Sequence, residues 1–141
     1  FLSESKKMAS HIESLALPVP SQIAIMSKNC AWWLLADLAI MMTGHVSVPV
    51  YPTLTAETTK YTLEHSEATL LFVGKLDEKP WKEMKNGIPE NMKCIAFPMC
   101  PEGVTYDKWA DCVKGEEIKE VKKRMEEEMA TIIYTSGSTG V

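Results

Sequence analysis

Short apolar runs alternate with longer segments of helical character along this 141-residue chain, and this alternation restricts the possible folds most strongly. The runs are rich in β-branched or aromatic side chains, which favour strands. Helices between successive strands are typical of parallel sheets, whose strands need long crossover connections. The sequence therefore predicts an α/β fold with a doubly wound, mostly parallel sheet and helices on both faces. The predicted strands are residues 22–26, 46–50, 69–73, 93–97 and 130–134.

Capping residues and helical periodicity predict where the helices lie. Asn29 is a candidate N-cap for the helix after the first strand, and Gly44 is its candidate C-cap partner. Thr53 or Thr55 is a candidate N-cap for the next helix. Further helices are predicted at residues 2–16, 77–85, 106–113 and 116–128, the last with one narrow apolar stripe and a charged outer face.

The second predicted strand contains Pro49, which conflicts with a place inside a sheet. Proline has no backbone N–H to donate and is disfavoured in central strands. We therefore expect regular pairing to end near Val48, with residues 49–52 leaving the sheet as an extended segment.

A loop rich in hydroxyl groups and glycine follows the last predicted strand. Glycine lets the backbone approach a ligand closely, and successive N–H groups in such a turn can bind an anion, usually phosphate. The spacing fits neither the Walker A loop nor the dinucleotide fingerprint. Two interpretations stay open at this point: a flexible Gly/Ser linker, or a phosphate loop at the carboxyl end of a strand. Its residues are Thr135, Ser136, Gly137, Ser138, Thr139 and Gly140.

The segment from Tyr134 to Gly140 resembles the phosphate-binding signature of the adenylate-forming (AMP-binding) enzymes. In that superfamily the signature usually continues with Pro-Lys-Gly, whereas here Val141 follows and the sequence ends. A second stretch, residues 27–73, resembles the N-terminal region of long-chain fatty acyl-CoA ligases. It includes Val48-Pro49-Val50-Tyr51-Pro52-Thr53 and Glu64-His65-Ser66-Glu67-Ala68.

The resemblance implies that residues 1–141 are a partial N-terminal AMP-binding domain, truncated at both ends, of an ATP-dependent long-chain fatty acid–CoA ligase. It also implies ATP, fatty acid and CoA as ligands, with Mg²⁺ at the phosphates. The six loop residues would bind the ATP phosphates, and no residue of the chain is assigned a catalytic role. By itself the chain is expected to be inactive. Two alternatives are a non-catalytic truncated α/β module and an adenylate-forming enzyme for another carboxylic acid.

Composition excludes some classes of function. A net charge of −4 gives no reason to expect nucleic acid as a partner, since proteins that bind it carry a basic face. Cys30, Cys94, Cys100 and Cys112 lack C-x-x-C spacing, and free thiols favour a reducing, cytoplasmic compartment. The most apolar run, residues 30–43, is too short to span a bilayer. Peripheral association with a membrane surface stays open.

The remaining ionisable and nucleophilic side chains predict no further site. Three histidines, His11, His45 and His65, lack a partner at metal-binding spacing, so no metal site is predicted within the chain. Glu64, His65 and Ser66 are the residue types of a catalytic triad. Neighbours on one helix point in different directions, however, and cannot converge on one substrate. For the same reason, adjacent Trp32 and Trp33 are expected to pack in the core rather than form one binding surface.

Overall fold

The fold is described from a computed structural model, which describes residues 2–52 and 55–120. Within them helices and strands alternate along most of the chain. Their order is α1 (Leu2–Ser14), β1 (Gln22–Met26), α2 (Ala31–Met42), β2 (Val46–Val50), α3 (Ala56–His65), β3 (Leu70–Val73), α4 (Glu78–Met84), a 3₁₀ turn (Lys85–Gly87), β4 (Lys93–Ala96), β5 (Asp107–Lys108) and α5 (Trp109–Cys112).

The five described strands form one sheet in the order β2-β1-β3-β4-β5, and all neighbouring pairs are parallel. Apolar side chains alternate between the faces of the central strands. Ile23 and Ile25 of β1 belong to one core cluster, whereas Ala24 and Met26 belong to the other. Because all the strands are parallel, their carboxyl ends lie together at one edge of the sheet and their amino ends at the opposite edge.

Helices cover both faces of the sheet. The first face carries α1, α2 and α5, represented in its core by Ile12, Ile40 and Trp109. The second face carries α3 and α4, represented by Leu63 and Trp81. The connection after β1 thus crosses the first face, and those after β2 and β3 cross the second. This arrangement confirms the predicted doubly wound α/β fold.

Local capping signals are confirmed at two helix ends. Thr55 is the N-cap of α3, and its side chain accepts a hydrogen bond from the Thr58 N–H. Gly44 follows the C-cap of α2 with φ of +79° and donates its N–H to the Met41 carbonyl oxygen, 3.0 Å away. A positive φ of this kind is the conformation that favours glycine after a helix. The predicted cap at Asn29 is wrong, because Cys30 holds the N-cap position of α2.

The expected end of pairing near Val48 is also wrong, because Pro49 pairs with Ile25 and Val50 with Met26. The Val46 N–H donates to the Ser21 carbonyl oxygen, 2.9 Å away. The backbone N–H and C=O groups of residues 46, 48 and 50 therefore point towards β1. The backbone nitrogen of Pro49 consequently points away from β1, and β2 is an edge strand of the described sheet. A missing donor at that position breaks no ladder bond and discourages pairing with another chain.

The chain after β4 differs from the predictions. Residues 106–113 were expected to be a helix, but Asp107 and Lys108 instead pair with Ile95 and Ala96 as a strand before the short α5. The predicted helix at 116–128 does not begin where expected, since residues 116–120 are not helical. There the Ile118 N–H donates to the Lys6 carbonyl oxygen, 3.0 Å away, instead of continuing a helix. Residues 121–128, Thr53 and the predicted strand at 130–134 lie outside the described residues.

None of the helices in the described part of the chain is long and apolar enough to cross a membrane.

Candidate functional site

The predicted phosphate loop lies outside the described residues. Thr135, Ser136, Gly137, Ser138, Thr139 and Gly140 therefore keep their roles as predictions. What the structure describes is the edge of the sheet at which the carboxyl ends of the parallel strands meet, where ligands of such sheets bind.

At this edge the order of the five described strands has a topological switch point between β1 and β3. The chain moves from β1 to one side to form β2, and then crosses to the other side to form β3. In open α/β sheets the crevice at such a point is the usual ligand site. Its residues here are those that follow β1 and β3, beginning with Ser27 and Gly74.

Ser27 joins the ends of the two strands and closes this crevice. Its buried hydroxyl accepts a hydrogen bond from the Lys75 N–H (2.8 Å) and donates one to the Lys28 carbonyl oxygen (2.7 Å). The Lys28 N–H in turn donates to the Lys75 carbonyl oxygen, 2.7 Å away. The two strand ends are thus bonded directly to each other through Ser27, Lys28 and Lys75.

Gly74 makes this close approach possible. A Cβ atom at this position would lie 2.2 Å from Cδ2 of Phe97 and 2.5 Å from the Ser27 hydroxyl oxygen. Both distances are far below van der Waals contact. Sequence reasoning missed Ser27 and Gly74. The available signal was a small residue directly after each of two strands predicted to be parallel.

Outside the closed crevice, the same edge carries an exposed ion pair. Lys28 Nζ lies 3.1 Å from an Asp77 carboxylate oxygen, and the two side chains are 43% and 62% exposed. Exposed pairs of this kind contribute about 0–1 kcal/mol to stability. Cys30 lies nearby, with its Sγ 3.8 Å from the Ser27 hydroxyl oxygen. These groups hold the strand ends together, and nothing in their arrangement suits acid–base or nucleophilic catalysis.

Asp37 is a carboxylic acid buried beneath the first-face surface, on α2. Only 5% of the residue is exposed, and burial raises the pKa of its carboxyl group. A side-chain hydrogen bond with Ser47 of β2 lowers that pKa in part. The folded chain consequently favours the protonated acid, and at neutral pH the charge at this position opposes folding.

We expect Asp37→Asn to be more stable than the unchanged chain at pH 7, because the amide keeps an acceptor for Ser47 and carries no charge. The raised pKa means that the folded state binds more protons than the unfolded state just above pH 3.8. Stability of the unchanged chain therefore falls as the pH rises through this window. The advantage of the variant should shrink as the pH is lowered towards 4, as measured by urea unfolding.

The control for this experiment is Asp111→Asn, which removes an exposed carboxylate from α5. A stability difference for Asp37→Asn that did not change with pH would contradict the assignment.

The four cysteines are free thiols. Burial raises the pKa of Cys94 to about 11, that of Cys112 to about 11 and that of Cys100 to about 12. Protonated, buried thiols are poor nucleophiles and poor metal ligands. We therefore expect none of these three thiols to act as a nucleophile or a metal ligand.

The histidines occupy separate places in the fold. His45 Nδ1 accepts the Ser21 N–H at 3.0 Å, which places the proton of a neutral ring on Nε2. His65 is exposed and stacks on Tyr61, with ring centroids 5.2 Å apart. The Ser66 hydroxyl donates to the Leu63 carbonyl oxygen, so the three triad residue types do not converge. Burial lowers the pKa of His11. Within the described ranges, no group of three or more His, Cys, Asp or Glu side chains could hold a metal ion.

A cleft of about 550 Å³ opens beside the amino-terminal ends of β4 and β5. Lys93 and Asp107 line it and form an ion pair with a distance of 2.7 Å. Because this cleft is beside the amino-terminal strand ends, it is not where a parallel sheet is expected to bind a nucleotide.

Comparison with known proteins gives a consistent result over the whole chain. The family model described as "AMP-binding enzyme" matches residues 1–141. Fatty acyl-CoA synthetase A of Dictyostelium discoideum is 31% identical, over 96% of this chain and 22% of that protein. Long-chain-fatty-acid–CoA ligase FadD15 of Mycobacterium bovis is 27% identical, over 90% of this chain and 22% of that protein. The chain thus spans about a fifth of the length of these curated relatives.

Solved structures share the fold. Coronafacic acid ligase from Pectobacterium brasiliense superimposes with a TM-score of 0.71 at 19% identity, covering 85% of this chain and 24% of that one. A benzoate CoA ligase from Burkholderia xenovorans gives a TM-score of 0.69 at 16% identity, covering 86% and 24%. At such low identity the likeness concerns the fold alone.

Proposed function

Because the chain belongs to the AMP-binding enzyme family, we propose that it is the N-terminal part of an ATP-dependent long-chain fatty acid–CoA ligase. The single observation that carries this proposal is the sequence from Tyr134 to Gly140. The preference for long-chain acids is supported by the curated relatives, several of which are named as long-chain ligases or synthetases. The fold supports the family, but it does not distinguish among acids.

The proposed reaction has two steps. The fatty acid carboxylate attacks the α-phosphate of ATP, which forms the acyl-adenylate and releases pyrophosphate. The thiol of CoA then attacks the acyl carbon, forms the thioester and releases AMP. Transfer reactions at phosphorus depend mainly on positioning and charge neutralisation by the protein.

The loop residues would supply that positioning. Thr135, Ser136, Ser138 and Thr139 have hydroxyl groups that can donate to phosphate oxygens, and hydrogen bonds to charged groups are the strong ones. Gly137 and Gly140 would leave the backbone N–H groups accessible to the phosphates. Mg²⁺ would neutralise part of the phosphate charge when bound. No protein ligand for it is assigned, since the described residues hold no suitable cluster.

The loop is tested in the full-length protein by Ser136→Ala and Thr139→Ala, with pyrophosphate release as the measurement. Loss of one hydrogen bond to a charged phosphate should lower kcat/KM for ATP by about 10- to 100-fold. The matched control is Ser3→Ala, which removes an exposed hydroxyl from α1 and should leave the rate unchanged. Loop variants that behave like this control would contradict the assignment of the loop.

The choice of acid is tested separately, by comparing long-chain, short-chain, aromatic and amino acids as substrates of the full-length protein. Pyrophosphate release that depends on another acid class, with none from long-chain acids, would contradict the long-chain proposal and leave the adenylate-forming chemistry intact.

We further propose that the 141 residues alone are inactive. Relatives are about five times longer, and we propose that the adenine, acyl and CoA contacts need residues outside these 141. Fatty acid-dependent AMP formation by the purified chain would contradict this.

A further inference from the structure

His11 lies in the last turn of α1 and has a buried ring nitrogen without a hydrogen bond. In the part of the chain that the structure describes, its Nε2 atom has no partner. The ring lies near the amino-terminal ends of β4 and β5, since the charges of Lys93 and Asp107 both act on it. Few buried polar atoms in native proteins lack a partner, so a change of protonation here affects the fold directly.

The fold tolerates a neutral His11 ring better than a charged one. A neutral imidazole can carry its proton on Nδ1 and leave Nε2 as a bare acceptor, whereas the imidazolium has an N–H on both nitrogens. Its Nε2–H would be a charged donor, buried without an acceptor. Burial accordingly lowers the pKa of His11 from its ordinary value of 6.5.

The charges nearest to His11 do not offset this cost. Asp107 of β5 favours the imidazolium, but it is paired at 2.7 Å with Lys93 of β4, which disfavours it. Within α1, the helix dipole favours a cation in the last turn. Lys7, one turn earlier on the same helix, opposes one.

The two helices that pack beside α1 supply no further countercharge among the described residues. On α5, Asp111 and Lys114 form an ion pair with each other at 3.0 Å. Cys112 of the same helix stays a neutral thiol, because burial raises its pKa to about 11. On α2 the one charged residue type is Asp37, which is itself buried and bonds with Ser47.

The attachment of α1 is weakest at the end that carries His11. Among the described residues, the hydrogen bonds that join α1 to other elements come from positions 4–6. Trp109 donates to Glu4, the Ser5 hydroxyl donates to α2, and a backbone N–H near residue 118 donates to the Lys6 carbonyl oxygen. The last turns are held by apolar packing, represented by Ile12.

We propose that α1 is an acid-sensitive element, whose last turns loosen from the sheet when His11 takes up a proton. The unfolded chain binds this proton more readily than the folded chain does, so stability falls as the pH falls through the range in which histidines titrate, about pH 7 to 5. The inference does not depend on the proposed ligase function.

Hydrogen exchange of the α1 amides tests the proposal, measured by mass spectrometry on the purified chain at about pH 7.5 and about pH 5.5. After correction for the intrinsic pH dependence of exchange, α1 should exchange severalfold faster at the lower pH, and α3 should not change in step. His11→Gln keeps a neutral polar side chain and should remove most of the rise. The matched control is His65→Gln, at an exposed histidine on α3, which should keep the rise.

Three results would overturn the inference. The corrected exchange of α1 could be equal at the two pH values, or the rise could persist in His11→Gln. An equal rise in α3 would assign the effect to unfolding of the whole chain. If circular dichroism shows that His11→Gln does not fold, the unchanged chain still decides. The rise in α1 exchange must then coincide with the titration of the His11 ring followed by NMR, and a rise at a different pH would contradict the proposal.

Discussion

Replacing Gly74 with alanine is expected to lower the free energy of unfolding by about 2–3 kcal/mol, as overpacking of a well-filled region does. The added Cβ would lie 2.2 Å from the Phe97 ring and 2.5 Å from the Ser27 hydroxyl oxygen. Phe97 is fully buried and cannot swing away, since it also contacts Trp109 edge-on at 5.6 Å between ring centroids. Relief would require the ends of β1 and β3 to separate, which breaks the hydrogen bonds of Ser27.

The matched control is Gly115→Ala, because a Cβ at Gly115 meets nothing within 4 Å. Its stability should stay within about 0.5 kcal/mol of the unchanged chain. Urea unfolding followed by tryptophan fluorescence measures both variants. Equal stability of the two variants would contradict the closed crevice. A second variant, Ser27→Ala, removes the bridging hydroxyl without adding an atom. It should destabilise the chain by about 0.5–1.5 kcal/mol, because the Lys75 N–H loses the hydroxyl oxygen that accepts its hydrogen bond.

Features that depend on neighbouring residues, such as helix caps, could be predicted from the sequence. Features that depend on the order of strands in the sheet could not. Thr55 and Gly44 act within one turn of their own helix, so their roles followed from local rules. Pro49 obeys a local rule as well, but its consequence depends on whether its strand lies at an edge. That position is set by the order of strands far apart in the chain, which alternation alone does not specify.

The misassigned region after β4 has a related cause. Two residues, Asp107 and Lys108, are too few to show the alternation that predicts a strand. They become a strand only because Ile95 and Ala96 offer paired backbone groups, and because Lys93 forms an ion pair with Asp107. Ile118 is buried, but it does not lie on the apolar stripe of a helix, which the spacing predicted. A contact with Lys6, more than a hundred residues earlier, replaces the expected helix there.

For the candidate site, one part is a local sequence motif and the other depends on the fold. The proposed phosphate loop is a sequence motif whose residue types and spacing carry the chemical information, so it could be proposed without coordinates, and it stays a prediction. The closed crevice at the switch point depends on two segments meeting, Ser27 with Gly74, and needed the fold. Two roles are thus assigned to different places. The hydrogen-bonded ends of β1 and β3 make the carboxyl edge rigid, and nucleotide binding is proposed for the loop at 135–140.

The largest loss of stability is expected for Trp109→Ala, at about 3–5 kcal/mol. Trp109 is 2% exposed and follows β5 directly. Its ring packs on Phe72 and Phe97, with centroid distances of 6.0 and 5.6 Å, and its Nε1–H donates to a Glu4 carboxylate oxygen at 2.9 Å. One side chain thus joins α1 to the aromatic core of the first face, and alanine would leave a cavity there.

Two further variants separate packing from hydrogen bonding. Trp109→Phe keeps an aromatic ring but lacks the donor, so it should lose much less stability than alanine. In a double-mutant cycle with Glu4→Ala, the coupling energy reports the hydrogen bond alone. Tyr51→Ala, at a side chain that is 76% exposed, is the control and should change stability by about 0.5 kcal/mol or less. If Trp109→Ala were no more destabilising than this control, α1 would not be held on the sheet by the aromatic core described.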